Sequence, residues 1–429
     1  QHEAATEAMT EAEQVWSDDD EPEPSALAYS EASKEAGSVL CGRWHRTCQS
    51  RGEECQLQHY GIGKKGAPAL GASLRVNVCM RALGLSDNGL GSEGVRSLVD
   101  ALLGGGAPAL IILDLSQNQA GPDGAAALGE LLAEHTKTEC GLQTLRFDAN
   151  VIGDKGAGQL ASGLATNRSL RSLHLCRNEV GCEGAGLMAP ALAQNATLET
   201  LSLEWNQIRA DGCRALISAC RDAAVTELDL GWNGVRDEAC AAISAALRDG
   251  SAPLRELKLH NNHVSAEGGA VLCAALEVLD ALDVSGNPLA NEGVSALLLA
   301  HHALPADRPC RLRMEEVCVR PGSNLPLLLA KLSAGQPIEM QDLEEAGAPG
   351  AAARAMSKVA ALDKKSKSAA NKSKHGKPKK STAAVAAAAA AALSAAPAAA
   401  KPLPFDAPGA KEGTAGPKPY MDPANLKIR

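Results

Sequence analysis

Leu170-Arg171-Ser172-Leu173-His174-Leu175-Cys176-Arg177-Asn178 is the stretch that decides the fold. Leucines hold its first, fourth and sixth positions, and an asparagine closes it. Upstream, the same spacing occurs as Met80, Leu83, Leu85, Asn88; Leu110, Leu113, Leu115, Asn118; and Leu142, Leu145, Phe147, Asn150. Downstream it continues as Leu198, Leu201, Leu203, Asn206; Val225, Leu228, Leu230, Asn233; Leu254, Leu257, Leu259, Asn262; and Leu279, Leu282, Val284, Asn287. Successive asparagines are 30, 32, 28, 28, 27, 29 and 25 residues apart, a period that marks a stacked-repeat architecture.

Each copy has a second half. Six residues after the asparagine stands Gly94, Gly124, Gly156, Gly184, Gly212, Gly268 or Gly293, with Ala239 the one exception. Beyond it the apolar spacing lengthens from two to three or four, as in Val95, Leu98 and Leu102. The unit is therefore a short strand, an asparagine-bearing turn and a helix. One unit cannot bury its own apolar side, but stacked units share a continuous core. The strands are expected to form a parallel sheet on the inner side, with the helices outside. Each asparagine is expected to satisfy backbone groups of its own turn and the next.

On these motifs residues 75–300 resemble the ribonuclease-inhibitor-like subclass of leucine-rich repeats. The resemblance implies an α/β solenoid: a right-handed β-α horseshoe with a parallel inner sheet and outer helices. Eight repeats would occupy 75–300, an N-terminal cap 37–74 and a C-terminal cap 301–346. The family includes ribonuclease inhibitor, NOD-like receptors and the Ran GTPase-activating protein, so the repeat names an architecture and not an activity.

The flanks differ in charge. Residues 1–36 carry eleven acidic groups and one lysine, while 347–429 carry fifteen Lys/Arg against four acids. Both are expected to be disordered tails, the second with an alanine-rich run. Aromatic residues make up only 2% of the 429, so the core must come from Leu, Ala and Val. No run approaches the ~18 apolar residues of a membrane span, and no secretory signal opens the sequence. Thirteen cysteines, an odd number without such a signal, read as reduced thiols of a cytoplasmic protein, with nuclear or ciliary placement as alternatives.

Residues between and just after the strand leucines should face the inner, concave surface. They include Arg146, Asp148, His174, Glu204, Asp229, Lys258 and His260. Trp205 and Trp232 stand just before Asn206 and Asn233 in adjacent repeats, and exposed tryptophans of this kind anchor interfaces. Together these nine are the expected partner-binding residues. Lys364, Lys365, Lys367, Lys372, Lys374, Lys377, Lys379 and Lys380 form a basic run with no interleaved aromatic. It offers electrostatic contact to an acidic surface, and to nucleic acid only through phosphates.

No metal or cofactor is expected. Cys41, His45, Cys48, Cys55 and His59 cluster, but the gaps between the cysteines do not match close-paired zinc spacings and suit one face of a capping helix. Nor does any phosphate-binding loop, nucleophile elbow or zinc-protease helix appear, and His174 with Cys176 lacks an orienting third group. The expected function is a non-enzymatic scaffold that binds a protein partner on the concave face, with no membrane contact. One alternative is a GTPase activator similar to the Ran GTPase-activating protein, whose acidic stretch follows its repeats, whereas here the acid precedes them. A second is a structural ciliary or cytoskeletal component.

Overall fold

The computed structural model describes residues 22–354, apart from 135–140, 249–251, 306, 309, 320–322, 349 and 352. All eight expected strands are present, three residues each: β2 (Ala82–Gly84), β3 (Ile112–Asp114), β4 (Thr144–Arg146), β5 (Ser172–His174), β6 (Thr200–Ser202), β7 (Glu227–Asp229), β8 (Glu256–Lys258) and β9 (Ala281–Asp283). Two more extend the sheet at its ends, β1 (Glu54–Gln56) and β10 (Arg311–Arg313). The ten lie parallel, in chain order, in one sheet. The register is uniform: Leu83, Leu113, Leu145, Leu173, Leu201, Leu228, Leu257, Leu282 and Leu312 oppose one another from strand to strand, with Cys55 in that place on β1. All of them are buried. The chain thus forms a leucine-rich-repeat solenoid.

The two terminal strands lie in segments expected to be caps. Both keep the alternating apolar pair, Cys55 with Leu57 and Leu312 with Met314, and bury it. What they lack is the asparagine: Tyr60 and Val317 stand in its place. The helices Gly91–Leu103, Gly121–Glu134, Gly153–Thr166, Cys182–Gln194, Arg209–Ala219, Arg236–Arg248 and Ala290–His302 return the chain on the other side of the core. The short 25-residue step between Asn262 and Asn287 leaves room for only Ala266–Leu272 plus a 3₁₀ turn, Cys273–Glu277. The glycine six residues past the asparagine lets each helix start close against its neighbour. A Cβ on Gly212 would lie 2.8 Å from Ile208 and 3.0 Å from the Cβ of Ala185.

The asparagines act differently from expectation in one respect: they serve their own turn and the preceding one. Asn118 Oδ1 accepts the backbone N–H of Asn88 (3.0 Å) and of Leu90 (3.3 Å), and its Nδ2 donates to the carbonyls of Leu85 (2.9 Å) and Leu115 (3.0 Å). Asn150, Asn206, Asn262 and Asn287 repeat the pattern. A second set at helix ends was not legible from spacing. Asn167 Oδ1 accepts from Leu170 N, and its Nδ2 donates to Leu132 O of the preceding repeat; Asn195 does the same with Leu198 and Leu164. Buried backbone groups freed at both bends thereby find partners.

Part of the stretch expected to be an acidic tail is instead folded. A helix, Pro24–Ala36, packs on Gly63–Val76 and buries Ala26, Tyr29 and Ser33. The Tyr29 hydroxyl accepts the N–H of Cys41 (2.9 Å), and Ser73 Oγ donates to Ser25 O (2.7 Å). The acidic run Asp18–Glu21 lies upstream of this helix, and averaging charge over residues 1–36 hid its apolar spacing. At the other end, helices Leu325–Ser333 and Met340–Glu345 close the core, and order continues past 347: Ala348 and Ala351 are buried and Arg354 approaches Glu292 at 3.8 Å. Among the described residues no helix is long and apolar enough to cross a membrane.

Candidate interaction face

Because side chains alternate along a strand, three rows face away from the core. The middle row runs Gly84, Asp114, Arg146, His174, Ser202, Asp229, Lys258 and Asp283, in register across the sheet. A second row, one leucine further on, holds Asp148, Cys176, Glu204, Gly231 and His260. The residue after it begins the turn and takes a left-handed backbone conformation, with φ 56° at Arg177, 57° at Trp205, 55° at Trp232 and 55° at Asn261. Stacked repeats therefore bring these turn residues into a column along the sheet edge.

In that column the two indoles stack, with ring centroids 4.1 Å apart and planes 11° from parallel. The separation is close to the 4.7–4.9 Å strand spacing that sets it. The Arg177 guanidinium covers the other face of Trp205, 5.1 Å from its centroid. Despite this stacking, Trp205 is 42% exposed and Trp232 41%, which makes them the exposed tryptophans of the described chain, since Trp44 is buried. The two indoles thus leave apolar surface exposed at the rim of the open sheet face.

Around the indoles the polar groups are tied to one another. His260 Nε2 lies 3.1 Å from Glu204 Oε1, two strands away, because Gly231 on the intervening strand has no side chain to stop it. Lys258 Nζ meets Glu227 Oε1 at 2.6 Å and Asp229 Oδ2 at 3.8 Å. Burial works against the Lys258 charge, but the bond to Glu227 and the nearby Asp229 outweigh it and hold the ammonium above the usual lysine value. Burial pushes the Asp229 carboxyl up, against the pull of the Gly231 N–H (3.0 Å) and of Lys258.

Among the described residues, Arg146 on β4, Asp148 just after it and His174 on β5 share no hydrogen bond or ion pair with these groups. Arg146 is exposed, Asp148 Oδ1 accepts the N–H of Cys176 (2.7 Å), and the His174 ring meets Ser172 Oγ (3.0 Å). Burial, then Arg146, holds the His174 imidazole below the usual histidine value. Burial also pushes the Cys176 thiol up to about 12, and its partner is Ser202 Oγ (3.1 Å), not the histidine. A thiol of that value stays protonated at neutral pH and is no nucleophile.

The sheet thus brings together six of the nine expected residues: Glu204, Trp205, Asp229, Trp232, Lys258 and His260. Spacing alone missed Arg177 and Glu227, and it set Gly231 on this face without showing its role. Arg177 was signalled by its place before Asn178, the same place the tryptophans hold. The basic run Lys364–Lys380 lies outside the described residues. In the N-terminal cysteine cluster, Cys48 is buried against Ser73 Oγ, Cys55 lies on β1 and Cys41 precedes the helix Gly42–Gln49. Only Cys48 and Trp44 of the expected helix face are buried on that helix. Among the described residues no group of three or more His, Cys, Asp or Glu could hold a metal ion.

Five segments, residues 76–99, 166–189, 194–216, 225–244 and 277–298, match the family model described as "Leucine Rich repeat". Among solved structures the chain is similar to the leucine-rich repeat-containing protein LegL7 from Legionella pneumophila. That match is 17% identical with a TM-score of 0.40 and covers 67% of this chain and 99% of the other. It is also similar to TLR13, solved as a complex with ssRNA13, at 17% identity and a TM-score of 0.35, over 59% of this chain and 35% of that one.

Proposed function

We propose that this chain, a leucine-rich-repeat protein, is a non-enzymatic scaffold that holds a protein partner against the open face of its sheet, with Trp205 and Trp232 as the anchor. The observation that carries this is the stacked indole pair, left more than two-fifths exposed at the edge of a sheet face where Glu204 meets His260, and Glu227 and Asp229 meet Lys258. Burying both rings would supply the apolar centre an interface needs, and Glu204, Asp229, Lys258 and His260 would form its polar surround. Truncating such an anchor typically costs ~2 kcal/mol or more. Burial raises the Cys176 thiol to about 12, which does not suit a nucleophile. The twelve free cysteines among the described residues suit a reducing compartment such as the cytoplasm.

The test is affinity capture with mass spectrometry on the full-length protein and on a Trp205→Ala/Trp232→Ala double variant. A partner captured by the wild type and lost by a folded double variant supports the reading. Undiminished capture by the double variant overturns the assignment of the site.

A further inference from the structure

Resting on the reading above, we infer that the partner segment seated on the tryptophans is cationic: an arginine-bearing peptide whose guanidinium stacks on the open face of Trp232 while a second basic side chain reaches Glu315 and Glu316. The molecule already shows half of this arrangement within itself. Trp205 has Trp232 on one face and the Arg177 guanidinium on the other. Trp232 has Trp205 on one face, and among the described residues no ring or cation covers its other face.

The next position along the column, Asn261, does not fill that space. Its carboxamide leans the opposite way, over Gly286, where a Cβ would meet Asn261 Oδ1 at 2.2 Å. His260 also turns away, across Gly231 towards Glu204. A slot one strand wide is thus left beside an indole face, and a planar cation is the group that such a face attracts most strongly. Arginine suits it better than lysine, because its flat guanidinium stacks as Arg177 does.

Further along the column stands Glu316, with φ 54° in the turn position that Trp205 and Trp232 hold in their repeats, and beside it Glu315. Both are exposed, and neither carboxylate makes an ion pair among the described residues. Two strand spacings from the slot put them about 10 Å away, within reach of an extended peptide with basic side chains on one side. Among the described residues Arg313, on β10, makes no ion pair, and Glu315, Glu316 and Asp283 outnumber it. Lys258 and Arg311 are each paired, with Glu227 and Glu256.

The experiment is fluorescence anisotropy on the full-length protein with a short labelled Gly/Ser peptide carrying two arginines four positions apart, and with its lysine and alanine counterparts. The arginine peptide should bind most tightly and the alanine peptide should not bind. Trp232→Ala should weaken the arginine peptide about tenfold, the loss of one desolvated cation–π contact. Alanine is tolerated in this turn, as Ala149 holds the same position at φ 52°; Trp232→Phe should keep most of the affinity and controls for the fold. Glu315→Gln/Glu316→Gln should weaken binding several-fold and flatten its salt dependence. Binding that is absent in the wild type, or equal in Trp232→Ala, overturns the inference. If partner capture still depends on the tryptophans while the peptide does not bind, the scaffold reading stands and the cationic partner falls. If capture is indifferent to the tryptophans, the scaffold site falls instead.

Discussion

The His260 imidazole lies directly over Gly231: a Cβ added to that glycine would meet the ring at 2.2 Å. The glycine is what allows a side chain on β8 to bond a carboxylate on β6. Gly231→Ala should therefore fold, with stability within about 1 kcal/mol of wild type, since a terminal ring can swing aside. The His260–Glu204 bond should be lost, seen as a change in the His260 ring resonances. Wild-type ring resonances in the variant would show that the contact does not depend on the missing Cβ.

The asparagine ladder makes a prediction of opposite size. Asn178 is fully buried, accepts the Asn150 N–H at 2.8 Å and donates to Phe147 O at 2.8 Å. Asn178→Ala strands both groups, each worth about 1–3 kcal/mol when left unsatisfied, so a loss of about 2–6 kcal/mol is expected in urea titration. Val317, at the same position in the last repeat and lacking a carboxamide, should tolerate Val317→Thr with little change. Equal effects at the two sites would mean the ladder is not what holds the turns.

Two glycines in adjacent helices should respond with opposite sign to alanine. A Cβ on Gly163 would stand 2.0 Å from the carbonyl oxygen of Gly129, a backbone atom that can yield only if the helices part. Gly163→Ala should cost about 1–3 kcal/mol. Gly186, in the helix Cys182–Gln194, has nothing within 4 Å of such a Cβ, and Gly186→Ala should gain about 0.5–1 kcal/mol through helix propensity. Thermal unfolding of the two variants reads both.

Cysteine alkylation separates a buried thiol from a reactive one. With its thiol pushed up to about 12, Cys176 is almost wholly protonated at pH 7.5, and the thiolate is the form that reacts. Cys213 and Cys220, also raised to about 12 by burial, should be silent as well. Brief iodoacetamide treatment followed by peptide mass mapping should mark the exposed Cys182 and Cys318 and leave these three unmodified. Stoichiometric labelling of Cys176 under native conditions would reopen the question of a nucleophile on this face.

The strands, their register and the helix positions were legible because each is set by a local spacing that recurs. Two strands escaped because Tyr60 and Val317 replace the residue that made the repeat visible, although Leu57 and Met314 still alternate correctly. The helix Pro24–Ala36 escaped because composition was averaged across a boundary. For the face, spacing gave which residues stand between and just after the strand leucines. It could not show which of them meet, because His260 reaching Glu204, or Arg177 reaching Trp205, depends on side-chain direction and on the gap left by a neighbour.

Among the described residues, the N–H of a turn's asparagine is received by the carboxamide of the repeat that follows it, as at Asn88, Asn118, Asn178, Asn233 and Asn262. The dependence is directional. On a ribosome, which releases the N-terminal repeats first, a turn emerges with open donors and is completed only when the next asparagine arrives about 28 residues later. Consolidation would trail synthesis by one repeat along the whole array. It would end at the turn after Asn287, where Val317 brings no carboxamide and the closing helices Leu325–Ser333 and Met340–Glu345 seal the last repeat instead.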